Sequence, residues 1–204
     1  MQPEAQDWQY GFGDFDAVTK TMKDFAPLKS YDGKKWRSDL ATADGEKGDI
    51  MLDPQGGNTG PLAQHASVRR WTAPLDGRIS VEAELIHTQE KSEGVRALIL
   101  HSRLGLLGEW QARYESKTTE VKEFAVQKGD VIDFIVSSKA GAETYRWAPV
   151  IKMPTATLTG MSDMARRWDA KLDFANPAQP PIPMNAWEEL CQVMLMSNEF
   201  AWLE

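Results

Sequence analysis

Between Val68 and Ile151 apolar and polar residues alternate with a period of two, which restricts this stretch to strands with one dry and one wet face. In RISVEAELIH, Ile79, Val81, Ala83 and Leu85 alternate with Ser80, Glu82 and Glu84. GVRALILHS and DVIDFIVSS are apolar on both sides, as central strands are, and the shorter runs EWQARY, EVKEFAV and YRWAPVI complete the series. Turn chemistry separates the runs. Asp76-Gly77 and Lys128-Gly129-Asp130 place glycine where a tight hairpin requires a positive φ. Short strands at regular spacing with such turns predict a mainly β protein, an antiparallel β-sandwich of jelly-roll-like type.

The flanks obey other patterns. From Trp8 to Gln64, Gly, Asp and Pro interrupt every apolar run; WQYGFGDF and GDIMLDP are expected as edge strands, SDLATADGEKGD and DPQGGNTGP as loops. After Lys152 the period becomes helical: Met161, Met164, Ala165 and Trp168 share a face in MSDMARRWDAKLDF, and a proline-rich stretch separates this from a second helical pattern. There Asn185 and Glu188 form a capping box, followed by a stripe of Trp187, Leu190, Cys191, Met194 and Leu195. The expected organisation is a sandwich module over 1–153 and a helical C-terminal tail over 154–204. Two readings satisfy the burial that the stripe demands: it packs on the sandwich or the first tail helix, or its partner is a helical domain outside this chain.

Composition removes several function classes. With 30 acidic against 23 basic residues and a net charge of −7, the chain lacks the basic footprint of a nucleic-acid binder. Nothing approaches the ~18 consecutive apolar residues of a membrane span, and MQPEAQDWQY does not read as an export signal. Cys191 is the sole cysteine, so there is no internal disulfide and no Cys-x-x-Cys motif for zinc or covalent haem. The three histidines, His65, His87 and His101, come without a Gly-x-Ser-x-Gly elbow, which argues against a hydrolase. His87 and His101 end two strands but lack metal-ligand spacing, and the acidic stretch Asp39 to Asp53 lacks the calcium-loop signature; both read as structural or solvated. The expectation is no catalytic residue, no metal and no cofactor.

Eight tryptophans are the unusual feature, because an indole serves equally in a core and as a platform for a flat ligand. Trp71 and Trp147, inside strands, are expected in the core, and Trp168 and Trp187 in the tail packing. Trp8, Trp36 and Trp110 lie in short or irregular segments and are the candidates for exposure. Among Arg69, Arg70 and Arg96, one arginine is expected among apolar neighbours, held by a carboxylate such as Asp133.

WQYGFG, VRRWTAPLDGRISVEAEL, EGVRALI, KGDVIDFIV, WAPVI and the ending AWEELCQVMLMSNEFAWLE together resemble the C-terminal region of the large planctomycete cytochrome-c and PSD-domain proteins, over Trp8 to Leu203. The resemblance implies an exported parent, periplasmic or at the cell surface, with a haem domain upstream and helical domains whose last member the tail rejoins. This chain lacks every haem-attachment residue, so no redox role carries over. The central strands are more loosely similar to the sandwiches of carbohydrate-binding modules. The resulting expectation is a non-catalytic recognition module for a polysaccharide or glycan. Trp36 and Trp110 would be its platforms, with Gln111, Arg113 and Asp39 as polar neighbours. The alternative is a structural module that orients the haem and helical domains and binds no small ligand.

Overall fold

The computed structural model describes residues 7–16, 18–19, 21–38, 50–60, 65–139, 141–154 and 166–174, and within them every regular element is a strand. In chain order these are β1 (Trp8–Asp16), β2 (Thr21–Pro27), β3 (Ser30–Tyr31), β4 (Trp36–Arg37), β5 (Met51–Leu52), β6 (Gly56–Asn58), β7 (His65–Thr72) and β8 (Gly77–His87). There follow β9 (Val95–His101), β10 (Gly105–Ala112), β11 (Glu115–Val126), β12 (Val131–Ser137), β13 (Thr144–Arg146), β14 (Val150–Met153) and β15 (Arg166–Asp169). One sheet has six strands in the order β10-β9-β12-β7-β1-β2; the other runs β15-β14-β8-β13-β6-β5-β4-β3, with β11 also paired to β8. Every pairing is antiparallel.

Period two does the sorting. Ile79, Val81 and Leu85 of β8 and Ile132, Phe134 and Val136 of β12 enter one shared core with Trp71 and Trp147, both wholly buried as expected. Phe134 lies between Trp8 and Trp147, with ring centroids 5.7 and 5.8 Å away. The apolar runs that lacked alternation have a different explanation. Ala66, Val68, Leu98 and Ile135 form a second buried cluster, apart from the first, joined by Met22, Phe25, Leu100 and Leu106. The alternation along β7 and β12 places it on the opposite face of the six-stranded sheet.

The two glycine turns do not close hairpins. Asp76-Gly77 carries the chain from β7 to β8, and Lys128-Gly129-Asp130 carries it from β11 to β12; each step crosses from one sheet to the other. Gly129 has the positive φ, +89°, whereas a side chain at Gly77 would collide with Met153. The arches are tied together: Ala73 N donates to Asp130 O at 2.8 Å, Gly129 N to Ala73 O at 2.8 Å, and Lys128 N to Asp76 Oδ1 at 2.7 Å. Arg103 clamps the Asp130 carboxylate with two hydrogen bonds of 2.7 and 2.6 Å.

That clamp holds the Asp130 carboxyl well below its ordinary value, at about 2, with the Gln127 N–H helping. Stability from this group is therefore fully present above the unfolded value near 3.8 and is lost as pH falls toward 2. In urea unfolding between those limits, Asp130→Asn is expected to show a flatter pH dependence than the parent chain. Identical slopes would show that the clamp is energetically silent.

The front half is more regular than its glycines suggested. WQYGFGDF forms β1, an internal strand between β2 and β7, and DPQGGNTGP contains β6 rather than being wholly loop. Gly56 is required there, because a Cβ would meet Tyr145 O at 2.1 Å across the β6–β13 pairing. At the other end, the helical reading of MSDMARRWDAKLDF is corrected over Arg166–Asp169. This is strand β15, paired with β14 from Val150↔Asp169 to Met153↔Arg166. Trp168 packs edge-on against Trp71 at 5.2 Å, so partners supplied by the sheet outweigh the local helical spacing. The second helical pattern, Asn185 to Leu195, lies outside the described residues.

Candidate functional site

Two short turns stand side by side on the larger sheet, and each is built by an aspartate that accepts backbone N–H groups ahead of it. Asp32 Oδ1 accepts Lys34 N and Lys35 N at 3.0 and 2.9 Å, which shapes the turn between β3 and β4. Asp53 Oδ1 accepts Gln55 N and Gly56 N at 2.8 and 2.9 Å between β5 and β6. The turn after β15 is built the same way: Asp169 Oδ1 accepts Lys171 N and Leu172 N at 3.0 and 3.2 Å. This last turn delivers Phe174 beside the other two. Tyr31, Lys34, Lys35, Asp53, Gln55 and Phe174 thus line an open cleft of about 560 Å³.

Its apolar wall is a cluster of four rings. Tyr31 and Phe174, both half-buried, have centroids 6.3 Å apart. Behind them lie buried Trp36, 5.0 Å from Tyr31, and buried Tyr10, 4.5 Å from Phe174. Tyr10 and Trp36 stack at 6.2 Å with an interplanar angle of 19°.

Arg69 holds this assembly from inside. Only 2% exposed, it follows β7 alternation inward with Trp71, yet among the described residues it forms no ion pair with a carboxylate. Its guanidinium donates to the backbone carbonyls of Asp53, of Gly56 at 2.8 Å and of Ala170 at 3.4 Å, so one side chain grips two of the three turns. It also lies 5.8 Å from the Tyr10 ring centroid and 5.6 Å from that of Phe174. Burial pulls its pKa below the ordinary arginine value. Burial likewise pushes the Tyr145 hydroxyl up to about 12 and that of Tyr10 higher, against the opposing pull of Arg69. Both tyrosines are therefore neutral at physiological pH, and neither serves as a counter-ion. The expected carboxylate pairing occurs at other arginines: Arg70 with Asp133 at 2.7 Å, Arg96 with Glu109 at 2.8 Å.

The residues singled out from the sequence are dispersed. Trp36 is 6% exposed and backs Tyr31, so it is a support for the cleft wall and not a platform. Trp8 is buried as well, because its strand is internal. Trp110 on β10 is half-buried, packs on the core and lies along Gly108 of its own strand. Gln111 and Arg113 are exposed near it. β10 lies four strands from β1, the strand that carries Tyr10, roughly 19 Å at ordinary strand spacing. Trp36 and Trp110 therefore do not converge. Asp39 lies outside the described residues. What sequence reasoning missed is Tyr31, Gln55 and Phe174; the available signal was a pair of Asp-led turns, DGKK directly after Tyr31 and DPQG.

A second polar cluster has the composition of a hydrolytic triad without its geometry. His87 Nε2 is 3.4 Å from Glu143 Oε2 and 3.3 Å from Ser92 Oγ, while Nδ1 accepts Tyr114 N–H at 3.1 Å. With Nδ1 an acceptor, the proton of the neutral ring resides on Nε2, so the ring has no lone pair to deprotonate Ser92. His101 is similar: Nδ1 accepts Arg103 N and Leu104 N at 3.0 and 3.2 Å. The two histidines lie in different sheets, and no group of His, Cys, Asp and Glu among the described residues is arranged to hold a metal. Nor, among those residues, is any helix long and apolar enough to cross a membrane.

No protein-family model matches the chain, and no curated protein matches it. Among solved structures it is similar to a PA14 sugar-binding domain from an RTX adhesin, at 11% identity and a TM-score of 0.35 over 80% of this chain and 96% of that one. It is also similar to the C-terminal CBM6 of LamC from Zobellia galactanivorans, at 13% identity and a TM-score of 0.30 over 70% and 98% of the two chains. The CBM35 of Abf62 from Cellvibrio japonicus gives 13% identity and a TM-score of 0.31 over 78% and 91%. Scores at this level do not carry the ligands of those domains over to this chain.

Proposed function

We propose that the chain is a non-catalytic recognition module of a larger exported protein, and that it binds a polysaccharide or glycan in the cleft between the Asp32, Asp53 and Asp169 turns. The observation that supports this is the pairing of two accessible rings, Tyr31 and Phe174, with Lys34, Lys35, Asp53 and Gln55 around one open cleft. Sugar rings stack their C–H faces on aromatic rings, and their hydroxyls need donors and acceptors at the rim. The His87 tautomer argues in the same direction, since it leaves the most triad-like cluster without a base.

Contacts of this kind are weak singly, so the expected dissociation constant is on the order of tens of micromolar to millimolar. Tyr31→Ala and Phe174→Ala are each expected to weaken binding to a soluble polysaccharide roughly tenfold in calorimetric titration, with the circular dichroism of the sandwich retained. Trp110→Ala, on the far strand, should leave binding unchanged. A loss on Trp110→Ala alone would move the site to the β10 edge.

The rival reading is a structural module that orients neighbouring domains and binds no small ligand. A glycan array that returns nothing would put that reading first.

A further inference from the structure

We infer that the cleft selects an anionic glycan, one bearing a uronate carboxylate or a sulfate ester, through the ammonium groups of Lys34 and Lys35. The inference rests on the glycan-binding reading and adds the charge class of the ligand.

The chain as a whole carries a net charge of −7, so an anion is drawn to it only where cations gather. Lys34 is exposed and Lys35 half-buried, both line the cleft, and neither ammonium meets a carboxylate among the described residues. The neighbouring carboxylates, in contrast, are already engaged. Asp32 accepts two backbone N–H groups and lies 3.4 Å from Arg37 Nε. Asp53 Oδ1 accepts two more, and Asp173 Oδ2 accepts Asp169 N at 2.7 Å.

Arg69 adds charge from below. Its guanidinium donates to the backbone oxygen of Asp53, a residue of the cleft, and its Nε and the nearby Tyr10 hydroxyl have no hydrogen-bond partner among the described residues. A cation enclosed by carbonyls and rings is screened by solvent far less than a surface one. Setting aside the Arg37–Asp32 pair, Lys34, Lys35 and Arg69 outnumber the carboxylates of Asp53 and Asp173, and among the described residues the two ammonium groups have no partner. A neutral sugar hydroxyl would accept from the ammonium groups with charge on the donor alone. A carboxylate or sulfate would bring the opposite charge to the same bonds and so gain an attraction that the neutral sugar lacks.

The test is calorimetric titration of the full chain with a polyuronate, a sulfated polysaccharide and the neutral polymers xylan and laminarin, at about 20 and about 500 mM salt. One anionic class is expected to bind on the order of tenfold more tightly than the neutral polymers at low salt. That preference should disappear at high salt and in the Lys34→Gln/Lys35→Gln variant. Whether the polyuronate or the sulfated polymer binds more tightly identifies the source of the anion. Lys91→Gln/Lys122→Gln, which alters exposed lysines outside the cleft, should leave the preference intact. Equal affinity for neutral polymers overturns the inference while leaving glycan binding in place. Equal loss in the Lys91/Lys122 control also overturns it, because attraction would then be diffuse. No binding to any polymer overturns both.

Discussion

Arg69→Met is expected to lower the free energy of unfolding by about 2–5 kcal/mol and to abolish ligand binding in the cleft. The side chain is 2% exposed and its partners are backbone carbonyls of Asp53, Gly56 and Ala170. Gly56 O keeps a second donor in Asp53 N at 3.0 Å, but the other two carbonyls lose the donor that Arg69 supplied. Each buried polar group left unsatisfied costs roughly 1–3 kcal/mol, and relief of the guanidinium's own desolvation offsets part of the total. Binding fails for a separate reason: the Asp53 turn and the turn that carries Phe174 lose a side chain that hydrogen-bonds to both. Arg69→Lys keeps the charge, but a single ammonium cannot reproduce a planar fork that spans two turns, so it should restore stability only in part. Urea unfolding and titration of both variants measure this. A stability within about 1 kcal/mol of the parent would mean that the aspartate turns hold themselves, and Arg69 would lose its role as organiser of the cleft.

Phe134→Ala should cost about 3–5 kcal/mol, the range for a wholly buried phenyl ring. The ring is 1% exposed between Trp8 and Trp147, two large groups that cannot both move into the space. Trp147 is fixed further by its Nε1 donating to Thr119 Oγ1 at 2.9 Å, and Thr119 in turn donates to Ala83 O at 3.1 Å. The core therefore collapses poorly around a cavity, which places the cost toward the upper end of the range. Phe134→Leu, which refills most of the volume, is expected to recover more than half of the loss in the same unfolding measurement. Equal effects of Ala and Leu would show that ring contacts, and not filled volume, set the stability here.

The sandwich was legible because it rests on short-range periodicity. Ile79, Val81 and Leu85 face the core whatever their strand partners, and Trp71 and Trp147 follow from the same alternation. The exposure of Trp8 and Trp36 was misjudged for an identifiable reason: glycine-rich and interrupted segments read as surface, yet β1 and β4 are each flanked by strands on both sides. Trp168 was misassigned because four apolar residues at helical spacing outweighed any local sign of a strand. Its pairing partner, β14, is separated from β15 by a dozen residues, so the pairing does not show in the local spacing.

By itself, then, the sequence determined the fold class, the inward and outward faces of β7, β8 and β12, and the acidic balance that argues against nucleic acid. Each of these follows from composition or from neighbours a few positions apart. Tertiary structure alone decided that Asp76-Gly77 and Lys128-Gly129-Asp130 cross between sheets, that Arg69 is buried on carbonyls while Arg70 takes Asp133, and that Tyr31, Asp53 and Phe174 meet in one cleft. Those outcomes depend on which strands pair and on which turns lie adjacent. Hydrogen bonding between segments tens of residues apart sets them, and no local pattern encodes it.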